Sequence, residues 1–300
     1  MNYILFDGPS RNNLLPLTYT RPVAEIRVGV LTIREKWETF LHSTITSITE
    51  DYLSDKFPMV EFDENIFINA SFLPNPELVK LISNLKPNES INSGDNLIAF
   101  YSNQSQEEID LDSFTKIDFT TSLMQITCLT DIFKINSLAI KADYDLITNN
   151  KVSSKISSTN NLIHPENIFI EDGVSMEFVT LNATDGPIYI AKDCEIMEGS
   201  LIRGPFALCE NSILKLGSKI YGGTTIGPYC KIGGEVTNSV VFGYSNKGHD
   251  GYLGNSLIGE WCNLGADTNT SNLKNNYADV KIWNYEEDKF LTTGEQFCGL

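Results

Sequence analysis

The feature that most constrains this chain is a six-residue spacing of aliphatic residues in its second half. The spacing holds over eight positions, which are Ile190, Ile196, Ile202, Leu208, Leu214, Ile220, Ile226 and Ile232. Six matches neither the helical period of 3.6 nor the strand alternation of two. It fits a coil in which each hexad forms one short strand and a turn, three hexads close a triangular rung, and the aliphatic side chain points inward.

The repeat predicts a left-handed parallel β-helix of hexapeptide repeats over residues 156–300. Residues 180–187 suggest a small insertion, and residues 237–253 are expected to form a loop that leaves the prism. The chain stops at residues 298–300, before the further coils of related β-helices. We therefore expect this domain to be truncated at its C-terminus, with its last rung uncapped.

The first half has the mixed periodicities of an α/β domain, expected to span residues 1–155. Buried strands are predicted by apolar runs at residues 3–6, 65–69 and 96–100. Helical spacing is found at residues 34–41, 75–85 and 130–147. A Ser-, Asn- and Lys-rich segment at residues 151–161 is expected to link the two domains.

The composition limits the class of partner. A net charge of −17 argues against nucleic acid and anionic membranes, because neutralising phosphates requires clustered Lys and Arg. No apolar run is long enough to span a membrane and the start lacks a signal-peptide pattern, which predicts a cytoplasmic protein. Six widely spaced cysteines without a CxxC pair are expected to be free, buried thiols.

Arginine is unevenly distributed along this acidic chain. Four of the five arginines (Arg11, Arg21, Arg27 and Arg34) lie within one 24-residue window, and the fifth is Arg203. Guanidinium groups bind phosphate in a bidentate manner, so the window suggests an anion site. The alternative is four surface arginines with no common ligand.

The interruption of the hexad repeat contains a candidate catalytic residue. Residues 243–254 are polar and rich in glycine, and they include His249, one of three histidines. Histidine titrates near neutral pH and can accept a proton from an amine or hydroxyl that attacks a thioester. A hydrogen-bonded surface histidine is the alternative. His42 and His164 are expected to be structural.

The segment from His249 to Asn272 resembles the acetyltransferase domain of a bifunctional family, the N-acetylglucosamine-1-phosphate uridylyltransferases/glucosamine-1-phosphate acetyltransferases. It reads His-Asp-Gly-Tyr-Leu-Gly and later Asn-Leu-Gly-Ala-Asp-Thr, with family spacing kept over about 24 residues. The resemblance implies that His249 is the general base toward glucosamine-1-phosphate, that Glu235 orients it, and that acetyl-CoA is the acyl donor.

The same resemblance implies roles for four further residues. Tyr252 and Asn263 would hold the sugar phosphate, and Ala266 and Asn272 would lie around the acetyl group of acetyl-CoA. Left-handed β-helices of this kind generally associate as trimers, so a homotrimer is expected by analogy.

Two positions depart from the family pattern. Asp267 stands in place of a glycine, and Thr237 stands in place of a lysine near the phosphate. The missing positive charge could come from one of three residues, namely Arg203, Lys247 or Lys274.

The start of the chain resembles sugar-phosphate nucleotidyltransferases. They open with a strand, a glycine-rich loop containing an arginine, a Pro-Leu-Thr step and an Arg-Pro-Lys step, and here residues 6–22 offer Phe-Asp-Gly-Pro-Ser-Arg, Pro-Leu-Thr and Arg-Pro. The resemblance implies an α/β nucleotidyltransferase-like (Rossmann-like) fold with Gly8 and Arg21 at the substrate. Arg11 and Arg21 would neutralise the charge that develops on the triphosphate.

The resemblance also implies Mg²⁺ as cofactor, with ligands that the sequence leaves open. Asn69 follows the mid-domain strand where the family has an aspartate, and Asp7 and Asp95 are other candidates.

These features favour a bifunctional enzyme. The N-terminal domain would transfer a uridylyl group from UTP, or from another nucleoside triphosphate, to N-acetylglucosamine-1-phosphate. The β-helix would transfer an acetyl group from acetyl-CoA to the amino-sugar phosphate. Two alternatives stay open: the β-helix could serve only as a trimerisation scaffold, or the protein could bind a nucleotide sugar without turning it over.

Overall fold

The computed structural model describes residues 1–103, 109–270 and 272–299. The chain forms two compact units, the first made of residues 1–26 and 31–128 and the second of residues 27–30 and 129–300. This division places the third helix with the β-helix, whereas the sequence suggested a boundary at residue 155. Within the described ranges, no helix is long and apolar enough to cross a membrane.

The first unit is an α/β fold around a mixed sheet, as expected. Its strands are β1 (Asn2–Phe6), β2 (Thr46–Ile48), β3 (Asn65–Asn69), β4 (Glu89–Ser93), β5 (Asn96–Ser102) and β6 (Thr115–Asp118). Its helices are α1 (Ile33–Leu41) and α2 (Pro76–Ile82). The sheet order is β2-β1-β3-β5-β4-β6, with β1 parallel to both β2 and β3.

Local sequence explains where these elements begin. At the start of α1, Thr32 and Glu35 form a capping box: the Glu35 N–H donates to Thr32 Oγ1 at 3.2 Å and the Thr32 N–H donates to Glu35 at 2.7 Å. Asn75 caps α2 by accepting the Leu78 N–H at 2.8 Å. β3 is buried at every position, which is typical of a strand inside a sheet covered on both faces.

The sheet topology creates a switch point at β1. β2 and β3 lie on opposite sides of β1. The connections that leave neighbouring strands here therefore run in opposite directions along the sheet. In open α/β sheets, ligands bind in the crevice at the carboxyl ends of strands where this reversal occurs. The loop after β1 is therefore the first place to look for a site.

The second unit contains a three-sided parallel β-helix, which confirms the hexapeptide prediction. One face holds β7 (Asn161–Ile163), β10 (Thr180–Asn182), β13 (Leu201–Arg203), β16 (Lys219–Ile220), β19 (Glu235–Thr237) and β22 (Tyr252–Gly254). The next holds β8 (Ile168–Ile170), β11 (Ile188–Ile190), β14 (Phe206–Leu208), β17 (Thr224–Ile226), β20 (Val240–Val241) and β23 (Leu257–Ile258). The third holds β9 (Ser175–Met176), β12 (Glu195–Ile196), β15 (Ile213–Leu214), β18 (Lys231–Ile232) and β21 (Asn246–Lys247).

The eight aliphatic hexad positions form the interior of this β-helix. All are at most 2% exposed. Register pairs stack them directly, for example Ile190 on Leu208 and Leu208 on Ile226. Each buried aliphatic side chain contributes roughly 1.5–3 kcal/mol to folding, so the repeat itself supplies the core.

The prediction of a loop over residues 237–253 is wrong, because the chain stays on the prism there. β20 and β21 continue two faces, pairing Val241 with Ile226 and Lys247 with Ile232. The corners change length instead: the inward positions after Ile232 are residues 236, 241, 247 and 253. The repeat is out of phase here, and one inward position is a lysine, so an aliphatic six-residue pattern could not reveal these strands. The insertion expected at residues 180–187 is shorter than predicted, because residues 180–182 form β10 and only residues 183–187 form a long corner.

The third helix, α3 (Leu129–Thr148), packs along the β-helix. Its fully buried Asn136 accepts the Gly29 N–H at 2.7 Å and donates to Gly223 O at 2.7 Å and Thr225 Oγ1 at 3.0 Å. Asp143 accepts the Val30 N–H at 2.7 Å. These bonds attach both α3 and residues 27–30 to the solenoid.

The two ends of the β-helix also differ from expectation. Residues 151–161 are not a free linker, because the Ser154 N–H donates to Ile170 O at 2.8 Å and β7 begins at Asn161. At the other end, residues after β23 form a hairpin of β24 (Lys281–Asn284) and β25 (Lys289–Thr292) and then return to the last coil. The Gly299 N–H donates to Asn255 O at 3.0 Å, so this coil is covered.

Candidate functional site

Gly8 begins the loop at the switch point of the first unit. A Cβ atom at this position would lie 2.6 Å from Asn69 Oδ1, so a larger residue would require the Asn69 side chain to move. The Asn69 amide accepts the Ser71 N–H at 3.0 Å and donates to Leu97 O at 3.1 Å. At Gly8 the loop therefore runs directly against the Asn69 side chain.

Asp7 is the central acceptor beneath this loop. Its carboxylate accepts bonds from Thr49 Oγ1 at 2.6 Å, the Val23 N–H at 2.7 Å and Arg11 Nε at 3.1 Å. Burial raises the pKa of Asp7, and the bonds from Thr49, Val23 and Arg11 partly oppose that rise. Because both oxygens have protein donors, Asp7 holds the loop together and is a poor magnesium ligand.

Arg11 lies beside Asp7 on the wall of a cavity of about 730 Å³. Its Nη2 donates to Thr18 O at 2.8 Å and to Tyr52 Oη at 2.9 Å. Its Nη1 has a weaker interaction, an ion pair at 3.5 Å with Glu50, whose side chain is 50% exposed. The guanidinium is thus fixed on two edges, while the Nη1 edge faces a carboxylate that can move away.

A second cavity, of about 490 Å³, lies on the other side of the same loop. Phe6 and Pro9 line both cavities. Hydroxyl and amide side chains dominate its wall, namely Ser10, Asn13, Asn69, Ser71, Asn96, Gln125 and Thr127. The buried Ser10 Oγ has no hydrogen-bond partner among the described residues. A wall with this many hydroxyl and amide groups is suited to a ligand with several hydroxyl groups.

Arg21 is buried, and it lines neither cavity among the residues that the structure describes. The substrate-binding role that the resemblance implies for Arg21 stays a prediction. Tyr52 and Glu50, which the sequence reasoning missed, are the residues that meet Arg11. They follow β2 by a few positions and carry no motif that could have identified them.

No group of three His, Cys, Asp or Glu side chains could hold a metal ion within the described part of the chain. Magnesium in phosphoryl-transfer sites requires only one or two carboxylates, because substrate phosphates complete its coordination. Asp95 is the carboxylate on the wall of the second cavity, and it is exposed. It fits a magnesium ion that arrives with substrate, whereas Asn69, at the end of β3, offers only an amide.

On the β-helix, the structure brings Glu235, Tyr252 and Asn272 together. Glu235 and Tyr252 are direct register partners on neighbouring strands. Asn272 Nδ2 donates to Tyr252 Oη at 3.0 Å. His249 is exposed at the corner between β21 and β22. In the described residues, no hydrogen bond or ion pair joins the side chains of His249 and Glu235.

A ladder of asparagine side chains supports Tyr252. Asn238 donates to Asn255 at 2.6 Å, and Asn255 donates to Asn272 at 2.9 Å. The ladder ends with the bond from Asn272 to Tyr252 Oη, which holds the phenol in place. The sequence reasoning missed this ladder, although its 17-residue spacing becomes visible once the coil length is known.

The other predicted residues are distributed around this group. Asn263 is exposed and forms an isolated parallel β-bridge with Asn246. Ala266 is exposed in the next turn. Asp267 has a φ of 58°, in the left-handed region that explains why a glycine would suit its position.

The three candidates for a phosphate-binding cation do not meet at Tyr252. Arg203 lies three strands away on the same face, about 14 Å at the usual strand spacing, and only 4.0 Å from Asp185. Lys247 is 2% exposed inside the β-helix, so it is not available to a phosphate. Lys274 Nζ donates to Asp279 O at 2.9 Å on the surface.

Comparison with known families agrees with the site in the first unit. A family model described as sugar nucleotidyl transferase matches residues 3–152, which is half of the chain. The chain belongs to the sugar nucleotidyl transferase family. This range contains the β1 loop, Arg11 and both cavities.

Curated relatives extend the similarity. The bifunctional protein GlmU of Wolbachia pipientis wMel is 32% identical over 171 residues, covering 47% of this chain and 39% of that protein. Those of Alkaliphilus metalliredigens (28% over 197 residues) and Rippkaea orientalis (30% over 135 residues) cover 55% and 37% of this chain. The matches span only 42% and 29% of those two proteins. Family and relatives together support a transferase.

Proposed function

We propose that the first unit transfers a nucleotidyl group from a nucleoside triphosphate to a sugar 1-phosphate, releasing pyrophosphate. The observation that carries this proposal is the pair of cavities that flank the β1 loop at the switch point. Arg11 lines one cavity, and amide and hydroxyl side chains line much of the other. The resemblance at residues 6–22 favours UTP and N-acetylglucosamine-1-phosphate as substrates.

The residues would share the work as follows. A phosphate oxygen of the sugar phosphate attacks the α-phosphorus of the triphosphate, and the bond to the pyrophosphate oxygen breaks. Arg11, held by Asp7, Thr18 and Tyr52, would stabilise the charge on the triphosphate as pyrophosphate leaves. Magnesium, when bound, neutralises phosphate charge, and Asp95 would hold it beside the second cavity.

Pyrophosphate release tests this proposal. The assay would use each of four nucleoside triphosphates with Mg²⁺ and N-acetylglucosamine-1-phosphate. Arg11→Lys keeps a charge but loses the fork geometry, so release should fall by about tenfold or more. Arg34→Lys is the matched control, since Arg34 pairs with Glu25 and Glu38 on the surface of α1. A folded protein that binds nucleotide sugar but releases no pyrophosphate would support the non-catalytic alternative.

We propose a second activity on the β-helix, acetyl transfer from acetyl-CoA to glucosamine-1-phosphate. It is supported by the pairing of Glu235 with Tyr252, by the Asn272–Tyr252 bond and by the exposed His249 at the adjacent corner. His249 would accept the proton of the attacking amine while the thioester carbon–sulfur bond breaks and CoA leaves. His249→Ala should slow CoA release by about a hundredfold or more but leave pyrophosphate release unchanged. Absence of CoA release from the wild-type protein, with pyrophosphate release intact, would favour a scaffold role for the β-helix.

We also propose that the protein acts in the cytoplasm as a homotrimer. Light scattering should then give the mass of three 33.5-kDa chains at micromolar concentration. The mass of a single chain would contradict the trimer.

A further inference from the structure

Lys247 stands out because it occupies an inward position of the β-helix. It is 2% exposed and stacks in register on Ile232, at a place where every preceding coil has an apolar residue, methionine in the first and isoleucine or leucine in the others. A buried ammonium group is costly unless hydrogen bonds compensate for lost water. Its presence therefore requires a specific reason.

The two coils that Lys247 joins have corners of different length. The lower corner, between β18 and β19, consists of Gly233 and Gly234 alone. The upper corner, between β21 and β22, has four residues, 248–251. Among the described residues, the backbone hydrogen bonds between these two levels lie at the ends of the corners, where the Gly233 N–H donates to Lys247 O and the Glu235 N–H donates to Gly251 O. In the same residues, no backbone hydrogen bond joins the lower corner to His249 in the middle of the upper one.

The ammonium group of Lys247 bridges this mismatch. Nζ donates to Gly233 O at 3.0 Å and to His249 O at 2.9 Å, one carbonyl from each corner. Gly234 makes room for it, because a Cβ there would lie 2.9 Å from Nζ. Burial lowers the pKa of Lys247, and the charge of Asp250 opposes that change. Methionine, leucine or isoleucine could fill the same space but could not bind the two carbonyls.

We infer that Lys247 is a positioning residue for His249, holding from inside the β-helix the corner that presents the imidazole. The inference rests on the proposed acetyl transfer for its functional meaning. Its structural content, an ordered 248–251 corner that depends on Lys247, stands apart from that activity.

A double-mutant cycle on the full chain tests the inference. Lys247→Met should lower the turnover number of acetyl transfer about tenfold or more, because small misplacement of a catalytic group has large effects. In a His249→Ala background the same change should have less than about a twofold effect, since Lys247 then has nothing to position. Lys231→Met, an exposed lysine on the neighbouring strand, is the matched control and should have no effect.

Amide hydrogen exchange gives a readout that does not need activity. The amides of Gly233 and Glu235, which donate to Lys247 O and Gly251 O at the two ends of the 248–251 corner, should exchange about tenfold or more faster in Lys247→Met, while the amides of β14 and β17 remain protected. Lys247→Leu provides a second variant if Lys247→Met unfolds. Unchanged exchange at Gly233 and Glu235 would overturn the inference, as would equal losses of transfer with and without His249. If the wild-type chain transfers no acetyl group, the proposed activity fails, and exchange alone decides the role of Lys247.

Discussion

Replacing Glu50 by glutamine should tighten the binding of nucleoside triphosphate to the first unit. In the free protein, Glu50 Oε1 lies 3.5 Å from Arg11 Nη1, and both residues line the larger cavity. A phosphate must displace this carboxylate. Glu50→Gln removes the competitor and leaves the Arg11 bonds to Asp7, Thr18 and Tyr52 intact.

The size of the effect follows from distance and exposure. Two unit charges 3.5 Å apart interact by about 1.2 kcal/mol in bulk water. Because the Glu50 side chain is 50% exposed, screening and side-chain entropy reduce the net value to about 0.5–1 kcal/mol. That range corresponds to roughly two- to fivefold tighter binding. Lost repulsion between Glu50 and the triphosphate acts in the same direction.

Isothermal titration at low salt would measure the affinity, and a repeat near 0.5 M salt should show a smaller difference because exposed charges are screened. Glu38→Gln is the matched control, since Glu38 lies at the same 3.5 Å distance from a different arginine, Arg34. Unchanged or weaker binding of triphosphate to Glu50→Gln would refute the assignment of the Arg11 edge as the phosphate contact.

Three further perturbations test other parts of the structure. Burial raises the pKa of Asp7 in the folded state above the ordinary value of 3.8, so between these two pH values the native state binds more protons than the unfolded state. The free energy of unfolding should therefore fall as the pH rises from 3.8 to the folded-state pKa, and Asp7→Asn should remove this slope in urea melts. Asn136→Ala removes the hydrogen bonds of Asn136 to the buried Gly29 N–H and Gly223 carbonyl, so urea denaturation should show a loss of about 2–4 kcal/mol in the free energy of unfolding. A loss under about 1 kcal/mol would contradict this. Asn272→Ala should cost only about 0.5–1.5 kcal/mol but raise KM for the amino-sugar phosphate, with pyrophosphate release unchanged.

The β-helix could be predicted because its interior has one simple requirement. An aliphatic residue every six positions suffices to stack Ile190 on Leu208 and Leu208 on Ile226. The prediction failed after Ile232 for two physical reasons. The corners shorten, which changes the spacing, and the interior accepts Lys247 once its Nζ is bonded to two carbonyls. Neither reason is visible in a pattern of aliphatic residues.

The site in the first unit was predictable in its location and less so in its contacts. The Phe-Asp-Gly-Pro-Ser-Arg segment identified the loop after β1, and Arg11 lies on a cavity wall there. The role of Asp7 depends on tertiary neighbours, because its carboxylate accepts bonds from Thr49 and Val23. These partners come from residue 49, just after β2, and from residue 23, and sequence spacing alone cannot pair them.

Transfer of radiolabel from the α-phosphate of a nucleoside triphosphate tests the central claim most directly. With Mg²⁺ and a sugar 1-phosphate, the label should appear in a nucleotide sugar, and Arg11→Lys should slow its appearance while Arg34→Lys does not. Label that stays in the triphosphate for all four bases, with folded protein and several sugar 1-phosphates, would contradict nucleotidyl transfer by the first unit.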